Sequence, residues 1–293
     1  MDGVIVVDKP SGWTSHDVVN KMRRIANTKR IGHLGTLDPM ATGVLPLVVC
    51  KATRLSQFYA KSEKVYDAIV EFGLATGTYD AEGQPVGERR DYVADPEQVD
   101  RMLAPFRGTF EQTPPPISAK KIGGTPAYKL ARKNIEVDLK PVEVTIFSAE
   151  VLECEGPRAR IKVHCSAGTY LRSIAHELGQ AAGCGAHLAK LVRLASGNFL
   201  LDEARTLDQL EALSKENRLG EALIPAARLL PHFPAEVVDP LTAGQIRQGR
   251  DFRVSPFRVA RGAKYVRAIT EDGELLGIGE IRLPNLYHPI MVL

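Results

Sequence analysis

Apolar positions change their spacing several times along the chain, and each change marks an element. "GVIVVD" at residues 3–8 and "VLPLVVC" at 44–50 are nearly unbroken apolar runs and read as short buried strands. Between them Val18, Val19, Met22 and Ile25 recur at helical spacing. Thr14 and Asp17 precede them at capping-box spacing, so an amphipathic helix with a basic outer face is predicted over residues 15–26. Residues 65–72 alternate: Tyr66, Ala68, Val70 and Phe72 share one face, and Asp67 and Glu71 lie on the other. Val99, Met102 and Leu103 mark a short helix. Val142, Val144 and Ile146 alternate, as do Ala159, Ile161, Val163 and Cys165, which predicts two more strands. The second carries Arg158, Arg160, Lys162 and His164 on its opposite face.

Thr169 is placed to cap a helix whose buried stripe is Leu171, Ile174, Ala175 and Leu178. Arg172 falls in the first turn of that helix, off the stripe, where a cation opposes the helix dipole. It therefore calls for an anionic partner. Strands and helices mix without a regular βαβ rhythm, so the expected class is α+β with a mixed, largely antiparallel sheet flanked by helices. From residue 236 the texture changes. "VDPLTAGQIRQGRDF", "YVRAITEDGELLGIGEI" and "HPIMVL" predict a small all-β module with a turn at Glu271-Asp272-Gly273. The expected division is a domain over 1–235, with an excursion over about 105–135 where Pro, Gly and Lys accumulate, and a second domain over 236–293.

Composition narrows the chemistry mainly by exclusion. The chain has 293 residues and a net charge of +3, too small to diagnose a nucleic-acid binder. The positive residues are nonetheless grouped, at Lys21, Arg23, Arg24, Lys29 and Arg30 and again at Lys120, Lys121, Lys129, Arg132 and Lys133. Cys50, Cys154, Cys165 and Cys184 are scattered, as buried free thiols of a reducing compartment would be. No signal segment and no membrane span is legible, so a cytoplasmic protein is expected. Phosphate-cradling glycine loops and zinc-binding His or Cys patterns are absent, which leaves no sign of a nucleotide cofactor or a metal.

One stretch stands apart, "GHLGTLDPMATG" at residues 32–43. Asp38 is either a local Asp-Pro turn-former or a lone carboxylate presented by its loop. Gly35 and Gly43 permit close backbone approach, and Pro39 fixes φ beside the acid.

This loop resembles the signature of the TruB-type tRNA pseudouridine synthases. "DKPSGWTSHDVV", "KVYDAIVEFGLATGTYD", "TPPPISAKKIGGTPAYKLAR", "CSAGTYLRSIAHELG" and "HLAKLVRLASGNF" resemble further motifs of that family, in order. The C-terminal module resembles a PUA-type RNA-binding domain. Ile117, Cys50 and Val192 depart from the family pattern, which has Tyr, Gly and Arg there.

The resemblance implies isomerisation of uridine-55 in the T-loop of tRNA to pseudouridine, without cofactor or metal. It makes Asp38 the essential carboxylate: a nucleophile toward C1′, a nucleophile toward C6, or a base on the ribose. It makes Tyr66 the ring that stacks on the flipped base and Arg172 the partner of Asp38. His33, Asp80, Lys121, Tyr170, Lys21 and Arg24 are expected to bind or support the substrate, and Lys9 and Pro10 to pack beneath the site. The implied partner is tRNA, gripped at its T-arm and acceptor stem by a monomer with no obligate protein partner. A non-catalytic tRNA-binding or RNA-folding protein with the same surface is the competing expectation.

Overall fold

The sheet is built around two kinds of strand that the apolar pattern distinguishes. In the computed structural model, residues 2–116, 140–256 and 263–293 are described, together with the backbone of 121–122 and 125–126. Ten strands form one sheet. Its main path runs Leu223–Pro225, Gly3–Lys9, Thr42–Val49, Ala186–Ser196, Lys64–Phe72, Arg158–Cys165, Val142–Glu155 and Gly108–Gln112. Pairing along this path is antiparallel except between Thr42–Val49 and Ala186–Ser196, which meet in parallel at Thr42 with Val192 and Gly43 with Arg193.

The continuous runs Gly3–Lys9 and Thr42–Val49 are covered on both faces. On one face Ile5, Val7, Leu45 and Leu47 pack with the helices Ser15–Ile25 and Leu207–Lys215. On the other, Val4, Val6, Val44 and Val48 pack with Leu55, Leu229, Leu275, Ile278 and Met291. The alternating strand Lys64–Phe72 is covered on one face only, by the helices Pro96–Leu103 and Leu171–Ala181. Its other face carries cross-strand ion pairs, Arg160 with Asp67 at 2.6 Å and Arg158 with Glu71 at 2.9 Å. The basic face of Arg158–Cys165 is thus largely neutralised within the sheet.

The first helix spans Ser15–Ile25, and its capping box between Thr14 and Asp17 is present. The helix Leu171–Ala181 is not capped by Thr169: its N-cap is Tyr170, and the Thr169 hydroxyl donates to the Ser166 carbonyl at 3.0 Å. The strand Gly108–Gln112 belongs to the edge of the main sheet. Beyond it Lys121–Ile122 pairs with Thr125–Pro126, while Ile117 and the side chain of Lys121 lie outside the described residues. The cysteines are unpaired, but only Cys165 is fully buried.

A second sheet of five strands runs Ala235–Val238, Tyr265–Thr270, Leu275–Leu283, Leu286–Val292 and Phe252–Arg253. The predicted turn at 271–273 joins two of its strands. The module is not all-β. Pro240–Arg247 is a helix, because Asp239 accepts the Thr242 N–H at 2.7 Å as an N-cap and Pro240 begins the first turn.

Candidate active site

The Asp38 loop is suspended between strands and tied down by side chains outside it. The Ser15 hydroxyl, at the start of the first helix, donates to the Leu37 carbonyl and accepts its N–H at 3.1 and 2.8 Å. Lys9 donates to the carbonyls of Pro39 at 3.0 Å, Pro10 at 2.8 Å and Trp13 at 2.6 Å. Burial pulls the Lys9 ammonium down to about 8. Arg193, fully buried, donates to the carbonyls of Gly35 at 3.1 Å, Thr36 at 3.3 Å and Val44 at 2.7 Å, on both sides of the loop.

The Asp38 backbone does make a turn, since its carbonyl accepts the Ala41 N–H at 3.1 Å. Its carboxylate takes no part in that turn. It faces Arg172, whose Nε lies 3.0 Å from Oδ2 and whose Nη2 lies 3.1 Å from Oδ1, a two-pronged pair. The Arg172 side chain is 5% exposed and that of Asp38 is 34% exposed, so the acid keeps one flank open while the base is sealed. The other edge of the guanidinium reaches Asp80 Oδ2 at 3.3 Å and the Thr78 carbonyl at 3.3 Å. Asp80 also accepts the Glu82 N–H at 3.1 Å, so it both caps its own loop and holds Arg172.

Burial pushes the Asp38 carboxyl above its usual range, Asp80 adds to that, and Arg172 pulls it back toward the ionised form. The open flank faces a cleft of about 490 Å³ lined by Asp38, Tyr66, Tyr170, Arg172, Leu191 and Arg193, among others. Tyr66 forms part of its floor; burial pushes its hydroxyl up, and the charge of Arg193 opposes this. Tyr170 is held by Gln112, which accepts its N–H at 2.8 Å and donates to its carbonyl at 3.0 Å. Among the described residues no cluster of His, Cys, Asp or Glu is arranged to hold a metal ion, and no helix is long and apolar enough to cross a membrane.

Comparison with known proteins gives the arrangement a family. The family model for the TruB pseudouridylate synthase N-terminal domain matches residues 23–171, and that for the tRNA pseudouridylate synthase B C-terminal domain matches residues 172–231. The tRNA pseudouridine synthase B of Solibacter usitatus is 59% identical over 293 residues, covering 100% of both chains. That of Aromatoleum aromaticum is 43% identical over 280 residues, covering 96% of this chain and 89% of its own. The chain belongs to the TruB family of pseudouridylate synthases.

Among solved structures, an H/ACA RNP bound to a substrate RNA containing 2′-deoxyuridine holds a chain that is 25% identical, with a TM-score of 0.73. A Cbf5-Nop10-Gar1 complex holds one that is 27% identical, also at 0.73. Each match covers 99% of this chain and 84% of the other.

The TruB fold brings Asp38, Tyr66, Tyr170 and Arg172 into one cleft, with Asp80 directly behind Arg172. It leaves His33 out of the cleft wall: its Nδ1 is buried with no partner among the described residues, and burial pulls the imidazole toward its neutral form. Lys21 and Arg24 also lie away from the cleft, where Lys21 pairs with Glu211 and Arg24 is exposed. Gly43 makes its close approach to the protein's own backbone. At φ +96 its Cβ would sit 2.3 Å from the Arg193 carbonyl oxygen.

The cleft also holds two cations that no motif reading assigns to it, Arg193 and Lys64. Both were legible as a signal. Lys64 lies on the buried face of its strand with Tyr66 and Ala68, and Arg193 is a charge on the same face as Leu191.

Proposed function

We propose that this TruB-family chain isomerises uridine-55 in the T-loop of tRNA to pseudouridine, with Asp38 as the essential carboxylate. The observation that carries the reading is the two-pronged Asp38–Arg172 pair, open on one flank to a cleft floored by Tyr66. The reaction breaks C1′–N1, rotates the uracil and forms C1′–C5. The C5 proton passes to solvent and N1 regains one, so atoms balance without a redox partner or energy source.

The target nucleotide must leave its stack to bring C1′ near Asp38. Stacking on Tyr66 contributes roughly 1–3 kcal/mol, which helps offset the cost of unstacking. Arg172 holds the carboxylate ionised and aimed, whether it attacks C1′, attacks C6 or removes a ribose proton. Exposed Arg24 and the Lys-rich segment around Lys121 are suited to phosphate contacts that position the RNA. Lys21 joins them by exchanging Glu211 for a phosphate. His33 supports the substrate from outside the cleft wall. The smaller sheet grips the acceptor stem, and the enzyme acts as a cytoplasmic monomer without an obligate protein partner.

Unmodified tRNA carrying tritium at C5 of its uracils tests this without any added cofactor. The expected result is release of one label per tRNA, and none when position 55 is cytidine. Release that persists with cytidine at 55 would contradict the position. Tight binding without release would favour a non-catalytic tRNA binder.

A further inference from the structure

Two of the three cations in the cleft have no carboxylate partner among the described residues. Arg172 is matched by Asp38 and Asp80. Arg193 spends its bonds on the backbone carbonyls of Gly35, Thr36 and Val44. Lys64 donates to one carbonyl, that of Ser62. Among the described residues neither Arg193 nor Lys64 has a carboxylate within ion-pair distance, although Glu143 also lines the cleft.

These two cations converge on one point of the Asp38 loop. A Cβ on Gly35 would lie 3.6 Å from Arg193 Nη1 and 3.7 Å from Lys64 Cε. Lys64 is 8% exposed, and burial together with the charge of Arg193 pulls its ammonium down to about 8. A buried lysine beside an arginine and away from acids costs free energy that an anion would recover. Its ammonium keeps donors beyond the one used on Ser62.

The substrate supplies such an anion at the right range. From Gly35 to Asp38 the chain spans at most about 10 Å. The ribose whose C1′ faces Asp38 carries a phosphodiester on each side of it.

We propose that Lys64, backed by Arg193, forms a phosphate subsite inside the cleft that takes one of the two phosphodiesters flanking the flipped uridine. The inference rests on the isomerase reading for the identity of the nucleotide in the cleft. It goes further by dividing the work: Arg172 serves the carboxylate, and Lys64 serves the backbone of the target nucleotide.

The test pairs a protein change with an RNA change. T-arm RNAs are made with a neutral methylphosphonate 5′ or 3′ to the target uridine, and their affinity is measured for the wild type, Lys64→Gln and Lys64→Arg. The wild type is expected to lose about tenfold to a hundredfold in affinity at one of the two positions. Lys64→Gln is expected to lose a similar factor with normal RNA and then to be indifferent to that neutral linkage. Lys64→Arg is expected to keep the discrimination.

Two results would overturn the subsite: a wild type indifferent to both neutral linkages, or losses from Lys64→Gln and the linkage that multiply at both positions. The wild-type scan holds even if Lys64→Gln folds poorly. Uridine conversion is followed in the same samples. Failure of conversion with coupling intact would strike the isomerase reading, while conversion without coupling would strike the subsite.

Discussion

In the proposed reaction Asp38 sets the pH behaviour of the site. Its chemistry, in each of the roles open to it, begins from the ionised carboxylate, and burial places its folded pKa above the usual 3.8. The single-turnover rate should therefore fall in acid with a limb above the ordinary carboxylate range; a limb at or below that range would contradict the burial argument. The sign for stability is opposite. Between the unfolded and folded values the native state binds the extra proton, so this group's contribution to stability declines as pH rises through that window. A second residue-scale effect lies at Cys50. Its φ of +52 is a left-handed conformation, which glycine adopts without strain. The side chain costs about 1–2 kcal/mol there, partly offset by the extra unfolded-state entropy of glycine. Cys50→Gly is expected to raise Tm by about 1–3 °C in a thermal melt. A lower Tm would mean that the 3.7 Å contact between Cys50 Sγ and Thr28 Oγ1 contributes more than the backbone strain costs.

At the scale of elements, the parallel contact between Thr42–Val49 and Ala186–Ser196 is what builds the site, because it lays Arg193 against the ends of the Asp38 loop. Arg193→Met would leave those three carbonyls without this donor and release the loop. The expected result is a fall in kcat of about a hundredfold with a smaller change in KM, since a shift near 1 Å in the carboxylate suffices. A kcat within twofold of the wild type would show that the remaining ties, from Ser15, Lys9, Ser11 and Arg172, hold the loop without Arg193. Most of this framework was legible from local pattern. Continuous apolar runs became strands covered on both faces, alternation in 65–72 became a strand covered on one, and Thr14 with Asp17 became a capping box. The failures were also local. Thr169 resembles a cap but bonds to Ser166, and the pattern that predicts a strand at Pro240–Arg247 misses the helix its Asp-Pro start sets up. The anionic partner demanded by Arg172 was predictable from the helix dipole, whereas the role of Arg193 depends on a pairing between distant strands that no local pattern encodes.

For the whole molecule, the smaller sheet has its own core of Val238, Ile246, Phe252, Val266, Leu276 and Tyr287, yet it also completes a core of the larger one. Leu275, Ile278 and Met291 pack with Val4, Val6 and Leu55. A chain truncated after residue 234 would expose that surface. Burial of each such side chain contributes about 1.5–3 kcal/mol, so the truncated chain should melt several degrees lower and aggregate, beyond any loss of RNA grip. An unchanged Tm would mean that the two sheets are energetically independent. In the proposed function the Asp38 loop exists to present a carboxylate to a uridine. The most direct test compares wild type and Asp38→Asn on the same tritium-labelled, unmodified tRNA, with release and affinity measured side by side. Asparagine preserves an acceptor for Arg172 and removes the charge. The expected result is no tritium release by the variant and a tRNA affinity within about tenfold of the wild type, because phosphate contacts supply most of the binding. Release by Asp38→Asn at a rate comparable to the wild type would contradict it.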